Sequence, residues 1–503
     1  MCKLQSGISI KLANGQQINN KFNDILVVGN GFDLFLGLKT KYSDFFNFII
    51  LYRVLYKVMI SGSFPIKSFL TFLPTEHRSE NLKLFNLIAI VDTYLETYVK
   101  EGNKRYEQLI RATNTSFFKW LLKLIFVDNY SDLFESIDEG VKSDIIKANF
   151  YEDVNNNRNL REILYKIIIK YQSLIRDSLT KAEKSCNSWT DVEQFIEYVV
   201  LGSHDLQCKF DLIKYLFHDF KFLKDAPNKS SNIYGSIQSF CNEFSLYLKA
   251  AQKTNDISSN KNKWKELLDF KSVSKIISKV YSDSLLARSN NIIDNISFLN
   301  LKSIIDFNYT KTTDILVDLY QSNLNSEKNT PFICHINGEI DSNNLIFGYG
   351  RNKNIEVSKE CYCFEKFTQR VIKNTQFVDF KNLLAGKYNV LIFGHSCSVA
   401  DRDVINKLLS TDNLGVAVVF CYDIPSLISV SNNLQEILGQ DRMETLLDYS
   451  EYNKLNSKLN SPLLPEVEKN ENNIAHCLKS FHPVLFFCVE SKNDEFLKIR
   501  NPN

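Results

Sequence analysis

Asp24-Ile25-Leu26-Val27-Val28-Gly29, running into Asn30-Gly31-Phe32-Asp33, is the stretch whose reading decides the fold. Four consecutive branched apolar residues suit a strand buried on both faces, and two glycines at its end suit a sharp turn into the apolar-periodic segment that follows from about Tyr42. Strand, tight turn and helix form the opening unit of a parallel sheet. Glycines in such a turn let the backbone approach a ligand, and the amides opening the next helix suit a phosphate. The turn is neither the full G-x-G-x-x-G pattern, because Leu34 holds its sixth position, nor a Walker A loop, because no Lys-Ser or Lys-Thr follows the glycines. An unliganded turn explains the residues equally well.

Working outward, the chain from about Leu51 to Asn290 carries long amphipathic segments such as NLREILYKIIIKYQSLIRDSL, and it reads as almost wholly helical. Past Asn290 short apolar runs return: SIIDFNY, PFICHING, NLIFGYG, NVLIFGHS and GVAVVFCYD, with PVLFFCVE closing the series. Their alternation with helical stretches predicts an α/β fold, a Rossmann-like and mainly parallel sheet with a large inserted α-helical block. The expected division is a discontinuous core of residues 22–50 and 291–495, with residues 51–290 as the insertion, a lid or sensor.

Several strand ends carry polar side chains. Asp306-Phe307-Asn308-Tyr309-Thr310 ends one run, and Asn308 there either orients a water or ribose hydroxyl or caps the helix that begins near Lys311. Cys334-His335-Ile336-Asn337-Gly338-Glu339 ends the next, with His335 as an acid or base near neutral pH or as a structural hydrogen-bonding group. Gly394-His395-Ser396-Cys397-Ser398 approaches a nucleophile elbow but has Ser398 where the elbow needs glycine, which leaves a nucleotide-contacting loop or a helix cap. Asp191 and Glu193, near the start of a helix, suit its dipole, and together with Asp401 and Asp403 they form a weaker candidate set of metal ligands.

The whole composition excludes other classes. Across 503 residues, 44% hydrophobic and 23% charged describe a globular chain, and its length exceeds what one simple core holds. Sixty basic against 58 acidic side chains give a net charge of +2, too little for general attraction to nucleic acid or anionic membrane. Eleven scattered cysteines without a C-x-x-C pair argue against a disulfide framework or structural zinc. The first twenty residues lack the pattern of a signal peptide, and Phe45 to Ile60 is broken by Asn47, Arg53 and Lys57. A cytoplasmic protein with a buried helix there is expected.

Five of these stretches, in order, resemble the bacteriophage abortive-infection proteins of the AbiH family: VVGNGFDLFLGLKTKYSDF from Val27, SWTDVE from Ser188, DFNYT from Asp306, HINGE with IFGYG from His335, and IFGHSCSVADRDVI from Ile392. The order of motifs is also similar, more distantly, to sirtuin-like domains, whose pocket holds NAD. That resemblance implies NAD or a related nucleotide as ligand, touched by Gly29, Asn30, Gly31, Asp33, Asn337, Gly338, Gly394, His395, Ser396 and Asp401, with Asn308 and His335 as catalytic residues. It departs at Asn337, which stands where such domains place their catalytic histidine. The family resemblance implies an antiphage effector answering a phage-derived trigger, or a non-catalytic nucleotide-gated sensor; homo-oligomerisation is left open. The strand ends bearing Gly29, Asn308, His335 and Gly394 are expected to meet at one crevice, with Trp189, Asp191 and Glu193 on its rim.

Overall fold

A computed structural model describes residues 8–11, 17–19, 23–62, 82–98, 104–113, 130–147, 162–171, 193, 196, 229–255, 297–298, 301–321, 331–342, 344–351, 359–373, 377–421, 424–447, 484–490 and 497–499. The chain divides into two compact units. One comprises Met1–Leu36, Ile257–Ile355 and Glu365–Asn503, and the other Gly37–Asp256 and Glu356–Phe364.

Numbered along the chain, the strands are β1 (Ile8–Lys11), β2 (Gln17–Asn19), β3 (Asn23–Val28), β4 (Ser297–Phe298), β5 (Leu301–Asp306), β6 (Phe332–His335), β7 (Tyr388–Phe393), β8 (Leu414–Cys421), β9 (Val484–Glu490) and β10 (Leu497–Ile499). Seven of them form one sheet in the order β10-β9-β8-β7-β3-β5-β6, and β2-β1-β4 form a small second sheet. All pairings from β9 to β6 are parallel, and only β10 runs against its neighbour. The DILVV run is thus β3, at the centre and buried along its length after Asn23. The fold is the expected α/β class with a mainly parallel sheet.

Side chains alternate between the two faces of the sheet. Ile25, Val27, Ile305, Cys334, Val390, Ile392, Ala417 and Val419 share one core with Val404, Ile405, Leu408 and Leu409 of the helix Arg402–Ser410 and with Val430 and Leu434 of the helix Ile424–Leu438. On the intervening positions of β5 and β6 lie Asp306 and His335, direct register partners on the opposite face.

One expectation fails locally. The run NLIFGYG forms no strand: residues 344–348 have no regular structure, and Tyr349 makes only an isolated bridge to Glu365. Leu345, Ile346, Phe347 and Tyr349 are buried in near succession, so the segment has no solvated face. Its backbone groups are satisfied by side chains: Gln369 accepts from the Phe347 amide at 3.1 Å and donates to the Phe347 carbonyl at 2.8 Å, while the Tyr309 hydroxyl donates to the Ile346 carbonyl at 2.7 Å.

In the other unit the helices include Tyr42–Gly62, Leu82–Tyr98, Lys104–Thr113, Tyr130–Lys147 and Lys229–Thr254. Phe48 lies 5.1 Å from Tyr94 and 5.0 Å from Tyr247, ring to ring, so an aromatic cluster ties three of them together. The helix Tyr42–Gly62 is buried on every side from Phe48 to Tyr56, as its apolar run predicts. Arg53 is tolerated there because its Nη2 donates to Thr113 Oγ1 at 2.7 Å. Among the described residues no helix is long and apolar enough to cross a membrane.

Candidate functional site

Register brings the polar strand ends together. Val28 of β3 lies opposite Phe393 of β7 on one side and Asp306 of β5 on the other, and Asp306 lies opposite His335 of β6. Pairing continues just past the strand ends: the Gly29 amide donates to the Phe393 carbonyl at 3.2 Å, the Phe307 amide to the Val28 carbonyl at 3.0 Å, and the Ile336 amide to the Asp306 carbonyl at 3.0 Å. Gly394, Gly29, Asn308 and His335 therefore stand side by side along one carboxyl edge. That is where open parallel sheets place their ligand sites.

The glycines serve close packing of one turn on another. A Cβ on Gly29 would stand 2.8 Å from the Gly394 carbonyl oxygen, and one on Gly31 would stand 2.7 Å from the Gly394 Cα. Gly394 itself has a φ of 66°, in the left-handed region. The Gly31 amide donates to the Gly394 carbonyl at 2.8 Å and the Phe32 amide to the Gly29 carbonyl at 2.8 Å. Asn30, partly exposed, is the first residue of the short helix Asn30–Phe35, and Gly29 is its cap.

Two polar clusters flank this edge. The first is acidic. Asp33, 1% exposed, accepts a hydrogen bond from Thr310 Oγ1 at 2.7 Å through Oδ2, and Thr312 Oγ1 donates to Thr310 Oγ1 at 3.1 Å. Its Oδ1 has no hydrogen-bond partner among the described residues, and neither do Asp306 Oδ2 or Asn308 Nδ2, although all three residues are buried. Asp306 Oδ1 accepts from the Asn308 amide at 2.8 Å, which shapes the turn beyond β5. His335 places Nε2 3.0 Å from Asp314 Oδ2 and Nδ1 3.9 Å from Asp306 Oδ2.

Burial pushes the Asp33 carboxyl up to about 7; Thr310 opposes the rise and the charge of Asp306 adds to it. Asp306 is pushed up to about 6, again mainly by burial, with His335 opposing. For His335 burial favours the neutral ring, but the hydrogen bond to Asp314 and the charges of Asp306 and Asp314 outweigh it and raise the imidazole above its ordinary value.

The second cluster is an ion network around Arg370, fully buried in the helix Lys366–Ile372. Its Nη1 donates to both Asp403 oxygens at 2.6 and 2.8 Å, its Nη2 to Asp401 Oδ1 at 2.9 Å and Asn337 Oδ1 at 2.7 Å, and its Nε to the Ile336 carbonyl at 3.2 Å. Lys366 Nζ adds a 2.9 Å bond to Asp401 Oδ1. Burial alone would raise the Asp401 carboxyl; Lys366, His395 and Arg370 instead hold it far below the usual carboxylate range. His395 is likewise engaged, with Nδ1 accepting from the Cys397 amide at 3.0 Å and Nε2 3.5 Å from Asp401 Oδ2, which fits the tautomer protonated at Nε2. Its ring packs 4.0 Å from that of Phe307.

The expected residues thus separate. Gly29, Asp33, Asn308 and His335 join the edge and its acidic side, whereas Asn337, His395 and Asp401 belong to the ion network. Gly338 has a φ of 77° and packs against Asn344, and Ser396 is exposed. The helix cap in that loop is Ser398, whose Oγ accepts from the Ala400 amide at 3.1 Å. Trp189 and Asp191 lie outside the described residues, and Glu193 is buried in the other unit. Among the described residues no group of three or more His, Cys, Asp or Glu is placed to hold a metal. Sequence reasoning passed over Arg370 and Lys366, and it gave no role to Thr312 or Asp314. The threonines of Thr310-Lys311-Thr312-Thr313 directly after a strand end were the available signal.

No curated protein and no solved structure matches the chain. A family match covers residues 25–422, from β3 through β8, and its description is Bacteriophage abortive infection AbiH. That span contains both polar clusters and most of the chain. The protein accordingly belongs to the AbiH family of bacteriophage abortive-infection proteins, and its work is phage defence.

Proposed function

We propose that the chain is an antiphage effector that takes NAD or a related nucleotide at the carboxyl edge of its sheet and, on infection, hydrolyses the bond between the ribose and its base. The supporting observation is the set of buried polar atoms there with no hydrogen-bond partner among the described residues, Asp33 Oδ1 and Asn308 Nδ2, beside Asp306 Oδ2, which has only the 3.9 Å approach of His335 Nδ1. Buried polar groups are ordinarily satisfied, and a ribose offers hydroxyl donors for the carboxyl oxygens and an acceptor for the amide. Cleavage of an N-glycosidic bond passes through an oxocarbenium-like state, which buried carboxylates stabilise and which needs a positioned water and a nearby base. Asn308 and His335 are the residues that the sirtuin-like resemblance offers for those tasks.

The diphosphate is a poorer match to the glycine turn, since the amides of Gly29, Gly31 and Phe32 already donate to backbone carbonyls. Phosphate recognition is therefore no part of the proposal. A second reading, a nucleotide-gated sensor without hydrolysis, is favoured by the two carboxylates that flank His335.

Purified full-length protein incubated with NAD, with and without extract of phage-infected cells, tests the first reading through nicotinamide release. Release that depends on the extract supports it. Binding without release, together with full phage protection by His335→Ala, moves the assignment to the sensor, and neither binding nor release ends both.

A further inference from the structure

The histidine is poorly disposed to accept a proton. Its Nε2 is committed to Asp314 and its Nδ1 faces Asp306 Oδ2, so the imidazole lies between two carboxylates that favour its charged form. An imidazolium has no lone pair to receive a proton. Asp33 is placed differently. Thr310, backed by Thr312, fixes its Oδ2 and therefore the plane of the carboxyl group, while Oδ1 has no partner among the described residues. Asn308, 5% exposed, stands on the neighbouring strand end; its side-chain Nδ2 has no hydrogen-bond partner among the described residues, and its backbone amide donates to Asp306 Oδ1. The charged group that acts on Asp33 is Asp306 at the end of β5; His335 at the end of β6 and Asp314 in the helix Thr312–Gln321 act in turn on Asp306.

We propose that Asp33 is the proton acceptor of the hydrolytic step and that His335 is a positioning residue that holds Asp306 and Asp314. The proposal rests on the reading of this edge as a site of N-riboside hydrolysis. As the water oxygen bonds to the anomeric carbon, Asp33 Oδ1 takes one of its protons. The bond from that carbon to the pyridinium nitrogen breaks with its electron pair going to nitrogen, so the cationic base leaves neutral. The proton stays on Asp33 until it passes to solvent. A carboxyl poised near 7 in the free protein is matched to this task.

The test is the pH dependence of nicotinamide release by the full-length protein with phage-infected extract, for wild type, Asp33→Asn and His335→Gln. Expected are a wild-type rate that climbs with pH and levels off above about 7, a loss of at least about 100-fold in kcat for Asp33→Asn with KM little changed, and a smaller loss for His335→Gln with the pH limb kept. Disappearance of the limb in His335→Gln, or wild-type kcat in Asp33→Asn, overturns the assignment and leaves hydrolysis standing. Wild-type protein that consumes no NAD overturns both. Should Asp33→Asn fail to fold, the His335→Gln profile still decides.

Discussion

Replacing Asp33 with Asn should stabilise the protein at pH 8 and do so far less at pH 5. Asn can still accept from Thr310, so the substitution removes chiefly an ionisable carboxyl from a fully buried site. In the unfolded chain that carboxyl titrates at its ordinary 3.8, and in the folded protein at about 7. The native state then binds more protons than the unfolded state between those values, so stability falls as pH rises through the interval. A difference of roughly 3 units at about 1.4 kcal/mol each makes the full penalty about 4 kcal/mol once pH exceeds the folded value. At pH 5 the penalty is less than half of that, because the native carboxyl is still protonated, so the advantage of Asn should grow by about 2–3 kcal/mol from pH 5 to pH 8. Any pH-independent cost of the amide cancels in that difference. Native-state hydrogen exchange of peptides covering β3 and β5, corrected for the intrinsic pH dependence of exchange, reads the free energy of the unit concerned. Asp306→Asn run in parallel shows how the proton divides between the coupled pair. A wild-type-minus-variant difference that stays flat from pH 5 to pH 8 would refute the reasoning.

Arg370→Ala should cost about 3–5 kcal/mol, because it leaves the buried Asp401 and the partly buried Asp403 without their shared guanidinium; urea unfolding measures it, and Arg370→Lys should recover little of the loss, lacking the fork that bonds both carboxylates. Gly394→Ala should cost more than the roughly 1–2 kcal/mol of a left-handed residue, since its Cβ would also press on the backbone of Gly31 and Phe32; a fall in the thermal midpoint of only a degree or so would contradict this. His335 has its folded pKa raised, so its contribution is present below about 6.5 and fades as pH rises through the folded value. His335→Gln should accordingly be more destabilising at pH 6 than at pH 9, and an equal loss at both would rule out the ion pairs with Asp306 and Asp314.

What was legible in the sequence is what local chemistry decides. Val27 and Val28 ahead of Gly29, and Ile304 and Ile305 ahead of Asp306, announce buried strands that stop at turns, because branched apolar residues and glycine act over a few positions. The NLIFGYG run has the same apolar content and misled for a tertiary reason: Gln369 and Tyr309 supply the hydrogen bonds that a neighbouring strand would have supplied. Arg370 was invisible for a related reason. KFTQRVI reads as an ordinary amphipathic turn, and nothing within it reveals that Asp401, Asp403 and Asn337 converge on its one guanidinium.

The same contrast separates the two histidines. Both stand at the ends of apolar runs, and the sequence offered His335 as an acid or base and His395 as a ligand contact without showing what surrounds either. Register shows that His335 and Asp306 are opposite each other on one face, which is a property of parallel pairing and owes nothing to the residues between them. Asp33 reaches Thr310 across 277 positions for the same reason: β3 and β5 are neighbours whose ends coincide. Register cannot say which polar atoms are satisfied. His395 reaches the same edge, yet its Nδ1 holds the Cys397 amide and its Nε2 faces Asp401, so it braces a loop. Asp33, 1% exposed, keeps one oxygen uncommitted among the described residues, and a buried acceptor left open in a folded protein is the feature that binding a ligand would complete.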